Sequence, residues 1–93
     1  MGRVYGEPAE VQTREDSRPT RFVWRGRLYA VRSILEHWVV NREWWREPDP
    51  GYAQPELEFW RVEASPGRDS PPGVYELRRD VEANSWKLRR VVD

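Results

Sequence analysis

Few residues in this sequence could perform catalysis. It contains one histidine, His37, and no cysteine. A nucleophilic triad needs a histidine oriented by a carboxylate beside the nucleophile, and a zinc site needs several histidine or cysteine ligands. His37 precedes a tryptophan and is interpreted as a packed or surface residue. The sequence therefore predicts a protein that is not an enzyme, with no catalytic residue, no metal site and no cofactor.

The acidic side chains are matched in number by basic ones. Sixteen Asp and Glu residues balance sixteen Lys and Arg residues, and every basic residue except Lys87 is an arginine. Carboxylates in such a chain are predicted to pair with arginine rather than to act as acids and bases. The zero net charge also argues against a general nucleic-acid coat protein, which would be basic, although it leaves room for a local basic face.

Tryptophan and arginine occur together at two places that indicate binding. Residues 24–27 form a predicted tight turn, and residues 44–46 precede a proline-rich loop. Because adjacent side chains on a strand point to opposite faces, one of Trp44 and Trp45 is expected outside the core. The candidate binding residues are Trp24, Arg25, Arg27, Trp44, Trp45 and Arg46.

An exposed tryptophan is compatible with several ligands. Its ring could stack on a base of single-stranded DNA, or it could anchor a partner protein or a second copy of the chain. Alternatively, the loop that contains Tyr52 covers the ring and no ligand is involved. The residue types leave these alternatives open.

The elements that would position these residues are separated by proline. All eight prolines fall within residues 7–20, 46–56 and 65–73. Because proline lacks a backbone donor, the stretches between these segments are predicted to hold the hydrogen-bonded elements. Residues 57–64 are partly apolar on both faces, which is typical of a central strand.

Alternating apolar residues predict a β-hairpin over residues 21–31, with a two-residue turn at Arg25 and Gly26. Glycine readily adopts the positive φ that such a turn needs. In this register Arg27 lies beside Trp24 and could cover its indole. The predicted pairs are Phe22 with Tyr29 and Trp24 with Arg27.

A second hairpin is predicted where residues 74–79 and 86–92 alternate on either side of a turn. Asn84 is expected in the left-handed conformation. The predicted pairs are Leu77 with Leu88, Arg79 with Trp86 and Tyr75 with Arg90. The core face is predicted to hold Tyr75, Leu77, Trp86, Leu88 and Val92. The opposite face is predicted to be a solvated, ion-paired surface of Glu76, Arg78, Lys87 and Arg89.

The stretch from residue 31 to residue 45 fits two structures. An apolar stripe at helical spacing would form one short helix near 33–40, whereas a strand would need a bulge near Ser33. Two adjacent valines and the lack of a cap before Ser33 favour the strand. The side chains that would then face the core are Ile34, Trp38 and Val40.

Together these elements predict an all-β protein, a small antiparallel barrel or strongly curved sheet of five or six short strands. The predicted organisation is a polar N-terminal segment, residues 1–18, with a first short strand around Val4 and Tyr5, and then a single β domain, residues 19–93. No apolar run is long enough to span a bilayer and no signal-peptide core is present, so a cytoplasmic protein without membrane contact is expected.

Several motifs follow one another in a specific order: Trp24-Arg25-Gly26-Arg27-x-Tyr29-x-Val31, Tyr75-Glu76-Leu77 and Trp86-x-Leu88. Over residues 19–93 this series resembles a family of small uncharacterised bacterial proteins, of actinobacterial and Thermus–Deinococcus type, with a domain of unknown function. The resemblance implies genes for error-prone DNA synthesis nearby, and it brings no catalytic residues. The chain departs from it before Pro19 and at Arg79, where relatives often carry an aromatic residue.

The leading functional prediction is an interaction module that assists DNA-damage tolerance or repair. It would bind a partner protein or single-stranded DNA through residues 24–27 and 44–46. The alternative is a homo-oligomeric structural module without nucleic-acid contact, in which exposed sheet edges pair between copies as in a homodimer.

Overall fold

The computed structural model of the chain describes residues 3–41, 56–67, 70–81 and 83–92. These residues form seven strands and no helix, so the predicted all-β class is confirmed with slightly more strands than expected. The strands are β1 (Arg3–Pro8), β2 (Glu10–Thr13), β3 (Pro19–Trp24), β4 (Arg27–Asn41), β5 (Glu56–Ser65), β6 (Gly73–Asp80) and β7 (Ser85–Val92).

All seven strands belong to one strongly curved, half-barrel sheet in the order β1-β7-β6-β5-β4-β3-β2, and every neighbouring pair is antiparallel. The two edge strands, β1 and β2, follow each other in the chain and are separated only by Ala9. The Ala9 amide donates a hydrogen bond to the Trp86 carbonyl of β7 (3.2 Å), and β2 also contacts β7. A sheet whose two edges are consecutive in sequence has to curl back on itself, and the connection at Ala9 therefore accounts for its curvature.

The concave side of the sheet holds a core made largely of aromatic rings. Phe22 is fully buried and stacks on Tyr29, with ring centroids 4.9 Å apart, and Tyr75 meets Phe22 edge-on at 5.6 Å. Such offset and edge-on contacts stabilise ring pairs beyond their buried area. The buried residues of this core cluster are Phe22, Trp24, Tyr29, Trp60, Val62, Ala64, Leu77 and Leu88.

The first hairpin has the predicted register, because Phe22 pairs with Tyr29 and Trp24 pairs with Arg27. Its turn residues, Arg25 and Gly26, have φ values of 53° and 74°. Two consecutive positive φ angles are typical of the type I′ turn, whose twist matches that of the flanking strands.

The second hairpin has the predicted register only near its turn. Leu77 pairs with Leu88 and Asn84 has the expected positive φ (50°), but Tyr75 pairs with Val91 and not with Arg90. The register shifts between Glu76 and Leu77 because β7 contains a bulge, which inserts one unpaired residue and reverses the alternation beyond it. Val91 therefore packs against the core cluster, where the unshifted register would have placed Val92.

Residues 33–40 are a strand, and the predicted bulge near Ser33 is present as a register shift between Val31 and Ser33. Ile34 packs against the core cluster as predicted. A second register shift, between Ile34 and Glu36, reverses the alternation again. The prediction that Trp38 and Val40 face the core is therefore wrong, and His37 has the core-facing position opposite Trp60.

Of the remaining strand predictions, one is confirmed and one underestimated the number of strands. β5 lies between β4 and β6, so the predicted central strand over 57–64 is confirmed. The polar segment 1–18 contributes both edge strands, β1 and β2, where one short strand was expected. In the described part of the chain, no helix has the length and apolar character that a membrane crossing requires.

The bulge in β7 yields a matched test of the register. Val91→Ala should lower the free energy of unfolding by about 1 kcal/mol more than Val92→Ala, because only Val91 contacts the core cluster. Urea unfolding followed by tryptophan fluorescence measures both values. An equal or larger cost at Val92 would mean that the register beyond the bulge is the unshifted one.

Candidate interaction surface

Glu7 of β1 links one edge of the sheet to the β3–β4 turn near the other edge. Arg25 donates from Nε to Oε1 (2.8 Å) and from Nη2 to Oε2 (2.7 Å), and the Trp24 indole donates to Oε1 (3.0 Å). The Arg25 guanidinium also lies 4.9 Å from the Tyr5 ring centroid and 4.7 Å from that of Trp24. We call Tyr5, Glu7, Trp24 and Arg25 the Glu7 clasp. It combines a bidentate ion pair with cation–π contacts.

The Glu7 clasp determines which side chains of the predicted binding turn, residues 24–27, are accessible to a ligand. Trp24 is only 8% exposed and its indole N–H is already bonded, so its ring face is not open to a base or a partner. Arg25, and not Arg27 as expected, covers the indole. Arg27 is exposed and has no side-chain partner among the described residues. The other candidates, residues 44–46, lie outside the described residues.

The ion pair of the Glu7 clasp changes the titration of both partners. Hydrogen bonds from Arg25 hold the pKa of Glu7 below its usual value, against the opposing effect of burial, and the Trp24 indole adds to this lowering. The same contact raises the pKa of Arg25. The pKa of Glu7 is lower in the folded state than in the unfolded chain. The ion pair therefore stabilises the fold fully above about pH 4.5, and this stabilisation is lost as the pH falls through the lowered pKa.

On the convex face, Glu76 of β6 lies under two arginines. Its side chain is 1% exposed, and it accepts hydrogen bonds from Arg61 (2.7 Å to Oε1) and Arg89 (3.2 Å to Oε2). Arg61 also donates to Glu36 at 3.0 Å. The ion pairing expected here is present, but Glu76 is buried and not solvated. The unpaired bulge of β7 contains Arg89, which explains how this residue reaches across to Glu76.

The same arginines cover aromatic rings on the convex face. Phe59 is 7% exposed, stacks on Trp38 at 5.3 Å and lies 5.0 Å below the Arg89 guanidinium. The register places Arg78 and Lys87 beside Phe59, and neither has a side-chain partner among the described residues. The convex face thus presents positively charged arginine and lysine side chains above a small aromatic layer, formed by Phe59 and Trp38.

A polar cluster lies on the core side around Glu58 of β5. His37 Nε2 lies 3.0 Å from one carboxylate oxygen, while the Trp60 indole donates to the other at 3.0 Å and Arg79 approaches it to 3.6 Å. The His37 ring stacks on Trp60 at 3.7 Å. His37 thus lies at the surface, with its side chain 39% exposed and its ring packed on Trp60, so it combines the two interpretations that the sequence left open. Over the described ranges, no three histidine or carboxylate side chains are grouped closely enough to hold a metal ion.

The second half of β4 forms an open edge that the sequence interpretation did not identify. β4 pairs with β3 only through Ala30, and no other described strand lies on that side of residues 33–41. Leu35, Val39 and Val40 are 47%, 49% and 43% exposed there. Natural edge strands are normally short or protected by charge and proline, so this partly apolar open edge is a candidate binding surface. The open edge arises because β3 has 6 residues and β4 has 15. Identifying the turn between them in the sequence does not reveal this difference in length.

Comparison with known protein families identifies the family of the chain. The family model DUF6504, described as a domain of unknown function, matches residues 1–93. The match includes the segment before Pro19, which the motif resemblance did not cover. None of the curated proteins and none of the solved structures compared with the chain gives a significant match.

Replacing Glu7 tests the Glu7 clasp through its pH dependence. Glu7→Gln should lower the melting temperature at pH 7, because Arg25 loses its carboxylate partner. The difference from the unaltered protein should shrink as the pH falls below about 4.5, because the unfolded chain then binds a proton at Glu7 that the native ion pair excludes, and it should vanish once the pH is below the lowered native pKa. Melting curves from pH 3 to pH 8 measure it (roughly the range over which carboxylates and histidine titrate). Glu10→Gln, at an exposed carboxylate on β2, is the control and should leave the melting temperature at pH 7 unchanged. A constant offset for Glu7→Gln would contradict the ion-pair explanation.

A second variant tests the buried carboxylate on the convex face. Glu76→Gln should lower the free energy of unfolding by about 2 kcal/mol, because two guanidinium groups lose a charged acceptor that is itself buried. Glu36→Gln, at the solvent-exposed end of the same network, should cost less than about 0.5 kcal/mol. Urea titrations of the two variants decide the point, and similar costs would show that Glu76 contributes no more than a surface pair.

Proposed function

The chain belongs to DUF6504, a family described only as a domain of unknown function, and we propose from its geometry that it acts as a non-enzymatic interaction module. Its partner is a protein that adds an extended, predominantly apolar segment along the open edge of β4. The observation that carries this proposal is the exposed apolar edge over residues 33–41.

The open edge has the properties that strand addition needs. Residues 33–41 span about 30 Å at the rise of a β-strand, which is enough for a peptide of several residues. Their backbone groups on the β3 side have no partner among the described residues. In strand addition, backbone hydrogen bonds supply affinity and alternate side chains supply specificity. Leu35 and Val39 would provide apolar contacts for the incoming segment.

The geometry favours a protein partner over single-stranded DNA. Stacking of bases needs an accessible ring face, and the ring of Trp24 is enclosed by the Glu7 clasp. On the convex face Phe59 is covered as well. Arg78 and Lys87 could contact phosphates, but phosphate contacts without stacking carry little selectivity for single strands.

The proposed setting is the cytoplasm, in DNA-damage tolerance or repair. This part of the proposal rests on the resemblance to proteins encoded near genes for error-prone DNA synthesis. A strand-accepting module would act there as an adaptor that holds an extended segment of a synthesis or repair protein.

A charge placed on the open edge tests the proposal. Peptides selected by display against the immobilised chain should be extended and apolar, and Val39→Lys should weaken their binding about tenfold or more, because a lysine on an edge opposes strand pairing. The matched control is Val4→Lys, since Val4 is 74% exposed on the opposite edge, in β1. Its peptide affinity should be unchanged.

Two further measurements with the same variants distinguish the other functions. Sedimentation would reveal a dimer that Val39→Lys dissociates, which would favour the homo-oligomeric module. Anisotropy of a labelled single-stranded oligonucleotide would reveal DNA binding that Val39→Lys leaves intact, which would overturn the proposal in favour of nucleic-acid recognition. Selected peptides that bind Val39→Lys as well as the unaltered chain would also overturn it.

A further inference from the structure

Three arginines line one cleft where the β2–β3 turn meets the bulge of β4. The cleft has a volume of about 230 Å³, and Arg14, Arg18 and Arg32 line it. Two backbone hydrogen bonds of 2.9 Å, from Arg14 to Arg18 and from Ser17 to Arg14, fix the turn that contains the first two arginines. Arg32 lies between Val31 and Ser33, where the register of β4 shifts. Bulges often redirect a side chain toward a binding site.

Two of these arginines, Arg14 and Arg32, differ from those that are paired with carboxylates elsewhere in the sheet. Arg25, Arg61, Arg79 and Arg89 each lie within 4 Å of a carboxylate, which neutralises their charge. By contrast, Arg14 has no side-chain partner among the described residues, and Arg32 donates through Nε to the neutral Ser65 hydroxyl at 2.9 Å.

Only one arginine of the cleft has an acidic partner. Arg18 contacts Asp16 at 3.3 Å, and no described carboxylate lines the cleft itself. The cleft therefore concentrates positive charge in a chain whose net charge is zero.

The donors of this cleft suit a tetrahedral anion. Each guanidinium presents several N–H groups in a planar fork, which matches the oxygens of a phosphate, and the exposed Ser33 hydroxyl lies at the same cleft. We propose that the cleft binds the phosphate group of a small phosphate monoester. A dianion would neutralise the two arginines that lack a carboxylate.

A second cleft explains the preference for an ester over free phosphate. It has a volume of about 210 Å³, shares Arg32 with the first cleft, and is lined mainly by apolar groups of Leu28, Ala30, Pro66 and Gly67. An organic group attached to the phosphate would find apolar contacts there while its phosphate stays on the arginines. This inference concerns a different surface from the open edge of β4 and does not depend on the proposed function.

Calorimetric titration at fixed ionic strength tests the proposal with phenyl phosphate and inorganic phosphate. Phenyl phosphate should bind saturably and more tightly than inorganic phosphate. Arg14→Ala and Arg32→Ala should each weaken it about tenfold or more, as expected when a charge-assisted contact is lost. Arg14→Ala is the decisive variant, because the Arg14 side chain makes no hydrogen bond, ion pair or ring contact with the described residues, so its removal should leave the fold intact.

Arg78→Ala is the matched control, since it removes the same charge from the convex face and should leave the affinity unchanged. Equal affinities for the two probes would overturn the role of the second cleft and assign free phosphate to the first. The whole proposal fails if phenyl phosphate produces no saturable heat at concentrations up to about 10 mM. A dissociation constant above that concentration would be too weak for a functional small-molecule site. The proposal also fails if Arg78→Ala weakens binding as much as Arg14→Ala does.

Discussion

The fold depends on bringing together two sheet edges that are neighbours in the chain. A flat seven-stranded sheet would hold β1 and β2 far apart, yet only Ala9 separates them. The sheet must therefore curve until its edges approach, and the Glu7 clasp fastens β1 to the β3–β4 turn through Arg25 and Trp24. The same curvature makes the concave side narrow enough for a few aromatic rings to fill it. The described residues thus build their core with one curved sheet and without a helix or a second sheet among them.

The convex side shows how a thin sheet can be protected on both faces. Its aromatic layer, Phe59 and Trp38, is too small to exclude water alone. Arginines complete the cover, because each has an apolar stem and a planar head that can rest on a ring while it bonds a carboxylate. The buried Glu76 carboxylate binds two of these guanidinium groups, those of Arg61 and Arg89. The abundance of arginine in the sequence thus has a structural use here.

Much of the fold could be predicted from alternation and turn chemistry. Both hairpins were identified correctly near their turns, where Gly26 and Asn84 reveal the geometry. What could not be predicted were the register shifts at Leu35 and Arg89, because a bulge has no characteristic residue type and reverses every side chain beyond it. These shifts account for the wrong orientation of Trp38.

The candidate site was less predictable than the fold. Tryptophan beside arginine is typical both of a binding surface and of an internal cation–π contact, and the sequence does not distinguish the two. The contact of Trp24 with Glu7 joins distant parts of the chain, so only the folded sheet reveals it. The open edge of β4 is a property of strand lengths on two neighbouring strands and has no local signal at all.

The pairing of β1 with β7 also bears on how the chain folds. Arg3 lies opposite Val91, so this ladder joins residues from the two extremes of the described chain. Contacts of such large sequence separation form slowly, because the intervening chain must first be ordered. The β3–β4 and β6–β7 hairpins are local and can form early. We therefore expect β1 to dock last, and until it docks the indole of Trp24 is without its carboxylate acceptor.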